Sequence, residues 1–261
     1  MTSATKSALG DELYDALRSR RTVAPLTARI QDISIDDSYW ISRRLLERRL
    51  ADGEKLIGKK IGVTSEAVQN MLDVRQPDFG YLTDKMKYET GCHMPISTEL
   101  IQPRAEGEIA FVLGRDLRGP GVTAQDALLA TAYVLPCFEI VDSRIRDWKI
   151  RIEDTVADNA SSGLFVLGKE RAEPGRVDFV GCGIVVEKNG RFLSQGRGDA
   201  ALGSPLNCVA WLANTLGEYG IGLQAGEVIL SGSLVPLEPV RAGDEMKLTI
   251  EGIGSAEVRF V

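Results

Sequence analysis

The chain of 261 residues contains one histidine, His93, and that scarcity removes whole classes of chemistry. Metal sites built on two histidines, including the H-E-x-x-H zinc peptidases, are impossible. A Ser-His-Asp triad could use only His93, which lies in the turn-like segment YETGCHMP, and no G-x-S-x-G exists elsewhere to partner it. His93 therefore reads as a loop residue. Cysteine is also sparse: Cys92, Cys137, Cys182 and Cys208 stand far apart with no C-x-x-C pair, which indicates reduced thiols instead of a zinc knuckle or a disulfide framework. No apolar run approaches the roughly 18 residues of a membrane span. The opening MTSATKSALGDELY has no apolar signal-peptide core, so a soluble, cytoplasmic protein without a membrane partner is expected. Basic excess is missing too. A formal charge of -6 leaves no footprint for nucleic acid, and RSRR at 18–21 reads as a solvated helix end. Neither GIGLQAG nor GKKIG has the spacing of a nucleotide-binding loop.

What is present has an α+β pattern. The first part reads as a small helical layer: SALGDELYDALRSRR, then SIDDSYWISRRLLERRLADG. In the second segment Ser34 and Asp37 have capping-box spacing, and Ile41, Leu45, Leu46 and Leu50 are expected on one face. From KLIGKKIGVTS onward, short apolar runs broken by Gly and Pro predict a β-rich, mixed-sheet domain. The expected division is residues 1–55 and 56–261. KNG at 188–190 signals a hairpin. SPLNCVAWLANTLGEYG at 204–220 predicts one helix among the strands, with Ser204 as cap and Pro205 in its first turn.

Within that β region, RAEGEIAFVLG carries two glutamates into a strand that is otherwise apolar. Side chains two apart on a strand share a face, so Glu106 and Glu108 point the same way. Glu139, in VLPCFEIVDSRI, is a third carboxylate on an apolar strand, facing opposite Phe138 and Ile140. Ionised carboxylates on such surfaces need a cation, a basic partner or a shared proton. One alternative is an ion pair of Glu106 or Glu139 with Arg104 or Arg144. Three carboxylates together favour a divalent metal, because they supply hard oxygen ligands and leave positions for water and substrate. Lys59 and Lys60 point to opposite faces of their strand, so one of them faces inward. A desolvated lysine beside a dication has a lowered pKa suited to proton transfer, whereas the plainer reading is a lysine snorkelling to the surface.

Four ordered stretches, KKIGVTSEAVQNMLDVRQPDFGYLTDKM, RAEGEIAFVLGRDL, FEIVDSRIRDWKIRIEDTVADNAS and AGEVILSGSLVPLEPVRAGD, closely resemble the 2-hydroxypenta-2,4-dienoate (2-oxopent-4-enoate) hydratases of bacterial meta-cleavage pathways, which degrade aromatic compounds. These hydratases belong to the fumarylacetoacetate hydrolase superfamily, and the resemblance spans nearly the whole chain. It implies a fumarylacetoacetate-hydrolase-like fold, with Mg²⁺ or Mn²⁺ held by Glu106, Glu108 and Glu139 and no organic cofactor. By the same resemblance, Lys60 and Asp78 in QPDFG are catalytic and Ser161 in DNAS contacts the substrate. Ser233 in SGSL replaces a threonine that approaches the metal-bound ligand in relatives. The expected reaction adds water to a small 2-hydroxydienoate, giving 4-hydroxy-2-oxopentanoate. Alternatives are decarboxylation of 2-oxo-3-hexenedioate (4-oxalocrotonate), or a non-catalytic partner of that decarboxylase. A homo-oligomer, which could assemble with the related decarboxylase, is also implied.

Overall fold

The computed structural model describes residues 1–71 and 73–261, and the side chains of all of these except Ala67, Val68 and Met71. Leu72, in the first of the four family-like stretches, lies outside the described residues. In chain order the elements are α1 (Ser3–Ser19), α2 (Ile35–Ala51), β1 (Leu56–Gly62), α3 (Glu66–Met71), β2 (Asp78–Thr83), β3 (Lys87–Glu89), β4 (Cys92–Met94), α4 (Ile96–Glu99) and β5 (Arg104–Leu113). Then follow α5 (Ala124–Ala130), β6 (Thr131–Val141), α6 (Ile152–Ala157), β7 (Ser162–Leu167), β8 (Gly183–Lys188), β9 (Arg191–Arg197), α7 (Pro205–Glu218), β10 (Val228–Leu230), β11 (Glu238–Pro239), β12 (Glu245–Ile250) and β13 (Gly254–Phe260).

The helical layer forms first, as expected. The Ser34 hydroxyl caps α2 by accepting the Asp37 N–H at 3.1 Å. Ile41, Leu45 and Leu46 are buried, but Leu50 is 39% exposed. The expected face was too wide: nine residues at about 100° each carry Leu50 half a turn away from Ile41. Leu9, Leu13, Ile41 and Leu45 form a satellite core that also takes in Ile145 and Ala157. Each such fully buried side chain contributes about 1.5–3 kcal/mol, so the layer is fastened to the β6–α6 region chiefly by apolar contact.

Both sheets are mixed. The larger runs β2-β1-β10-β5-β6-β7-β3, with β11 pairing with β5. The smaller runs β4-β13-β12-β8-β9. Most neighbours are antiparallel, while β1–β10, β3–β7 and β4–β13 are parallel. Phe138 and Ile140 on β6 are fully buried, and at Gly107 of β5 a Cβ would stand 2.8 Å from Ile184 Cδ1 of β8. That face of the large sheet therefore packs on the small sheet, and the glutamates use the other.

The KNG hairpin forms between β8 and β9, with Asn189 and Gly190 both left-handed at φ 54° and 72°. This is the backbone a two-residue hairpin turn requires. α7 begins at Pro205 after Ser204, as expected. The strands are interrupted by more than that one helix, however: α5 and α6 have only seven and six residues, too short to show a helical period. His93 is not in a loop but on β4, an exposed position on a short strand paired with β13. Among the described residues no helix is long and apolar enough to cross a membrane.

Candidate active site

Register brings the three glutamates together. β5 and β6 run antiparallel with Glu106 opposite Glu139 and Glu108 opposite Cys137, so all share one face. One carboxylate oxygen from each of Glu106, Glu108 and Glu139 lies within 4.8 Å of the others. Glu108 and Glu139 are buried, and Glu106 is half-buried. The arginines of the ion-pair alternative are engaged elsewhere: Arg104 lies 4.6 Å over the Trp148 ring, and Arg144 Nε donates to Asp158 Oδ1 at 2.6 Å. The cation at the cluster is Lys60, whose Nζ is 3.2 Å from Glu139 Oε1.

That contact is an ion pair by distance only, and both Glu139 oxygens and Glu108 Oε1 are buried without a hydrogen-bond donor among the described residues. The other Glu108 oxygen accepts the Gly232 N–H at 2.9 Å. Gly232 has φ 94°, and a Cβ there would stand 2.4 Å from Thr64 Oγ1, so both backbone and space call for glycine. Burial, reinforced by mutual repulsion, pushes Glu106 up to about 7 and Glu108 well above the ordinary carboxylate range. Burial likewise raises Glu139, against the pull of Lys60.

Lys60 and Asp78 reach the same face from β1 and β2. Lys60 pairs with Gly80 on one side and Leu230 on the other, Leu230 pairs with Ala110, and Gly62 pairs with Asp78. At Gly62 a Cβ would sit 2.4 Å from Asp78 Oδ1 and 3.3 Å from Lys60 Nζ, so this glycine leaves room for the carboxyl beside the ammonium. Burial raises the Asp78 pKa, and Lys60 opposes it. The lowering expected for Lys60 belongs to a lysine beside a bound dication, and without the ion the balance is different. Burial works to lower it, but Glu139, Asp78, Glu106 and Glu108 together outweigh that and hold the ammonium above its usual range. Lys59 points the other way, as expected from strand alternation, yet it does not snorkel: it is 2% exposed and ion-paired with Glu227.

Ser161 closes a turn after α6. Its hydroxyl lies 3.2 Å from Thr155 Oγ1, and the Thr155 hydroxyl in turn helps to hold the Asp78 pKa down. Ser233 donates its hydroxyl to the Val235 carbonyl at 2.6 Å, so within SGSL the Gly232 amide is the group that reaches the carboxylates. Sequence reading missed Thr155, Gly62 and Gly232, and it treated Arg144 only as a possible glutamate partner. Nothing in the local sequence separates these residues from ordinary helix, strand and turn formers. Cys137 and Cys208 also adjoin Glu108, and burial raises both thiols, which keeps them protonated.

Residues 65–261 match the family model described as the fumarylacetoacetate (FAA) hydrolase C-terminal domain. A 2-hydroxypent-2,4-dienoate hydratase of Pseudomonas putida is 70% identical over 213 residues, covering 82% of this chain and 96% of that protein. A 2-hydroxyhexa-2,4-dienoate hydratase of Comamonas testosteroni is 57% identical over 252 residues, 96% of each chain. Among solved structures, 4-oxalocrotonate decarboxylase from Pseudomonas putida G7, complexed with magnesium and adipate, superposes with a TM-score of 0.97 at 35% identity, covering 100% of this chain and 99% of that one. The same decarboxylase with calcium and acetate gives 0.95. By fold and by sequence the chain belongs to the fumarylacetoacetate hydrolase family and, within it, to the hydratases, which are hydro-lyases.

Proposed function

We propose that this hydratase is metal-dependent and adds water to 2-hydroxypenta-2,4-dienoate to give 4-hydroxy-2-oxopentanoate, in the meta-cleavage breakdown of aromatic compounds. The observation that carries the metal site is the trio Glu106, Glu108 and Glu139, which brings one oxygen from each within 4.8 Å of the others, with buried unpartnered oxygens on Glu108 and Glu139 and, among the described residues, Lys60 as the ion-paired cation. Hard oxygen donors carrying more negative charge than their surroundings neutralise suit Mg²⁺ or Mn²⁺. When bound, such an ion supplies Lewis-acid stabilisation of negative charge developing on the substrate's oxygens.

The chain's own residues supply the rest. Gly232 fixes one oxygen of Glu108 and so aims the other into the cluster. Lys60 Nζ lies 3.2 Å from Glu139 Oε1, and Asp78 lies beside it with a buried oxygen free of hydrogen bonds among the described residues. Between them, the two groups can relay the four proton movements the hydration needs: one off the 2-hydroxyl and one onto C5 as the dienol ketonises, then one off the water that adds at C4 and one onto C3. Ser161, and Ser233 after a turn of its hydroxyl, are the proposed substrate contacts. The proposal includes a homo-oligomeric, cytoplasmic enzyme able to associate with the related decarboxylase.

Decarboxylation is the competing reading, favoured by the close superposition on 4-oxalocrotonate decarboxylase. The much higher identity to hydratases supports hydration. The test supplies 2-hydroxypenta-2,4-dienoate and 2-oxo-3-hexenedioate separately, with Mg²⁺ or Mn²⁺, and identifies products by NMR. Hydration with deuterium at C5 in D₂O supports the proposal. Release of CO₂ from the six-carbon diacid, with the five-carbon dienol untouched, would replace it, and inertness toward both would point to a non-catalytic partner.

A further inference from the structure

β2 is the edge strand of the large sheet, yet every one of its residues is buried. A buried edge exposes backbone N–H and C=O groups that must find partners. At Tyr81 the partner is a side chain: the Tyr81 N–H donates to Asn159 Oδ1 at 2.7 Å, and Asn159 Nδ2 donates to the Tyr81 carbonyl at 3.0 Å. One carboxamide thus takes the place of a neighbouring strand. Asn159 begins a run of three consecutive left-handed residues, Asn159, Ala160 and Ser161, with φ 55°, 51° and 51°. Non-glycine residues rarely adopt this conformation, and each costs about 1–2 kcal/mol.

The run is held at both ends. Asp158 just before it pairs with the buried Arg144, which also donates to the carbonyls of Asp142 and Ser162, while the Ser161 carbonyl accepts the Asp142 N–H at 2.8 Å. Its inner side lies directly over Gly80, where a Cβ would meet the Asn159 carbonyl at 2.4 Å and Ser162 Oγ at 2.8 Å. Gly80 pairs with Lys60, so the turn sits on the face that carries Lys60 and Asp78. Here the hydroxyls of Ser161 and Ser162 come from one part of the chain and the proton carriers from another. The Asn159–Tyr81 link ties the two directly through the backbone of β2, beside the Thr155 hydroxyl that reaches both Ser161 and Asp78.

We propose that Asn159 is a positioning residue of the hydration reaction: its two-point clamp on the Tyr81 backbone holds the strained turn so that the Ser161 hydroxyl keeps its place beside the Thr155 hydroxyl, on the face that carries Lys60 and Asp78. This rests on the function proposed above. Asparagine suits the position twice, because it tolerates left-handed backbone and because its amide offers both a donor and an acceptor. Asn159→Gly keeps the backbone tolerance and loses the clamp. Asn159→Asp keeps an acceptor for the Tyr81 N–H but has no donor for the carbonyl.

The experiment compares Asn159→Ala, Asn159→Gly and Asn159→Asp with the wild type. It measures kcat and KM for 2-hydroxypenta-2,4-dienoate with Mg²⁺, Mg²⁺ affinity by calorimetry, and hydrogen exchange at the Tyr81 amide. Wild-type hydration tests the functional reading on its own, and Tyr81 exchange tests the clamp on its own. The expected result is a loss of kcat on the order of 100-fold in all three variants, the cost of about 1 Å of misplacement at a reacting centre. Mg²⁺ affinity should stay within about threefold, since no ligand is touched, and Tyr81 should lose protection in the Ala and Gly variants. The proposal is overturned if Tyr81 stays protected in Asn159→Gly, if that variant keeps wild-type kcat, or if Mg²⁺ affinity falls in step with kcat.

Discussion

At the scale of single residues, alternation along a strand does most of the explanatory work. Glu106→Gln keeps the size of the side chain but removes one ligand charge, so Mg²⁺ affinity is expected to fall at least tenfold with little loss of thermal stability. Calorimetry showing wild-type affinity would remove Glu106 from the metal site. Lys60→Met removes the proton held on the site's face, and hydration should drop on the order of 100- to 10,000-fold. The same change removes a positive charge 3.2 Å from Glu139, so Mg²⁺ should bind at least as tightly as to the wild type. Lys59→Met behaves differently: it leaves Glu227 without its ammonium partner and should cost on the order of 2 kcal/mol in stability, with metal binding intact. If Lys59→Met abolished turnover and Lys60→Met did not, the roles of the two strand faces would be reversed. The opposed facing of the two lysines was legible because it follows from a period of two. The burial of Lys59 was not, because its partner Glu227 lies far along the chain and no local pattern announces it.

At the scale of elements, the short helix α6 shows why local sequence falls short. Its six residues are buried but for one, and its position is fixed from outside: Asp154 accepts the Thr27 N–H at 3.1 Å and the Thr27 hydroxyl at 2.7 Å. Asp154 also accepts the Arg151 N–H at the helix start. Thr27→Val keeps the backbone hydrogen bond and deletes the hydroxyl one, so a loss of about 1 kcal/mol is expected in denaturant unfolding. An unchanged midpoint would show that the backbone contact alone holds α6. The helical layer also carries its own pH dependence. Hydrogen bonds from Arg44 hold Asp11 below the ordinary carboxylate range, Lys6 does the same for Asp37, and Tyr14 with Arg18 for Asp52. A carboxyl lowered in the folded state contributes stability above its unfolded pKa and loses it as pH falls through the folded one. Acidification below about pH 4 should therefore raise hydrogen exchange in α1 and α2 before it does so in the large sheet. Simultaneous loss of protection in both would count against this. The long helices were readable from apolar period and caps, whereas α5 and α6 are defined by what they pack on.

At the scale of the whole molecule, the α+β class and the mixed sheets were legible, but strand order was not. β10 slots between β1 and β5, and a parallel partner so distant in sequence leaves no turn signal to read. That insertion puts Lys60 and the glutamates on one continuous surface, and it gives the molecule a pH dependence opposite to that of its helical layer. Burial raises the carboxyls of Glu106, Glu108, Glu139 and Asp78 in the metal-free protein, Glu106 to about 7. A raised carboxyl keeps its proton in the folded state after the unfolded chain has released it. Its contribution to stability is therefore complete below the unfolded value of about 4.3 and is lost as pH climbs through the folded one. The surface carboxyls lose their contribution on the acid side, so the metal-free protein should be most stable in mild acid and should soften as pH approaches 7 and beyond. A divalent ion reverses the slope, because it binds the deprotonated carboxylates and stabilises the fold according to its concentration relative to its dissociation constant. Melting curves from pH 5 to pH 8 should show Tm falling with pH in EDTA, and a Mg²⁺-induced rise in Tm that grows over the same interval. If Mg²⁺ raised Tm as much at pH 5 as at pH 8, the ion would be binding somewhere other than these buried glutamates.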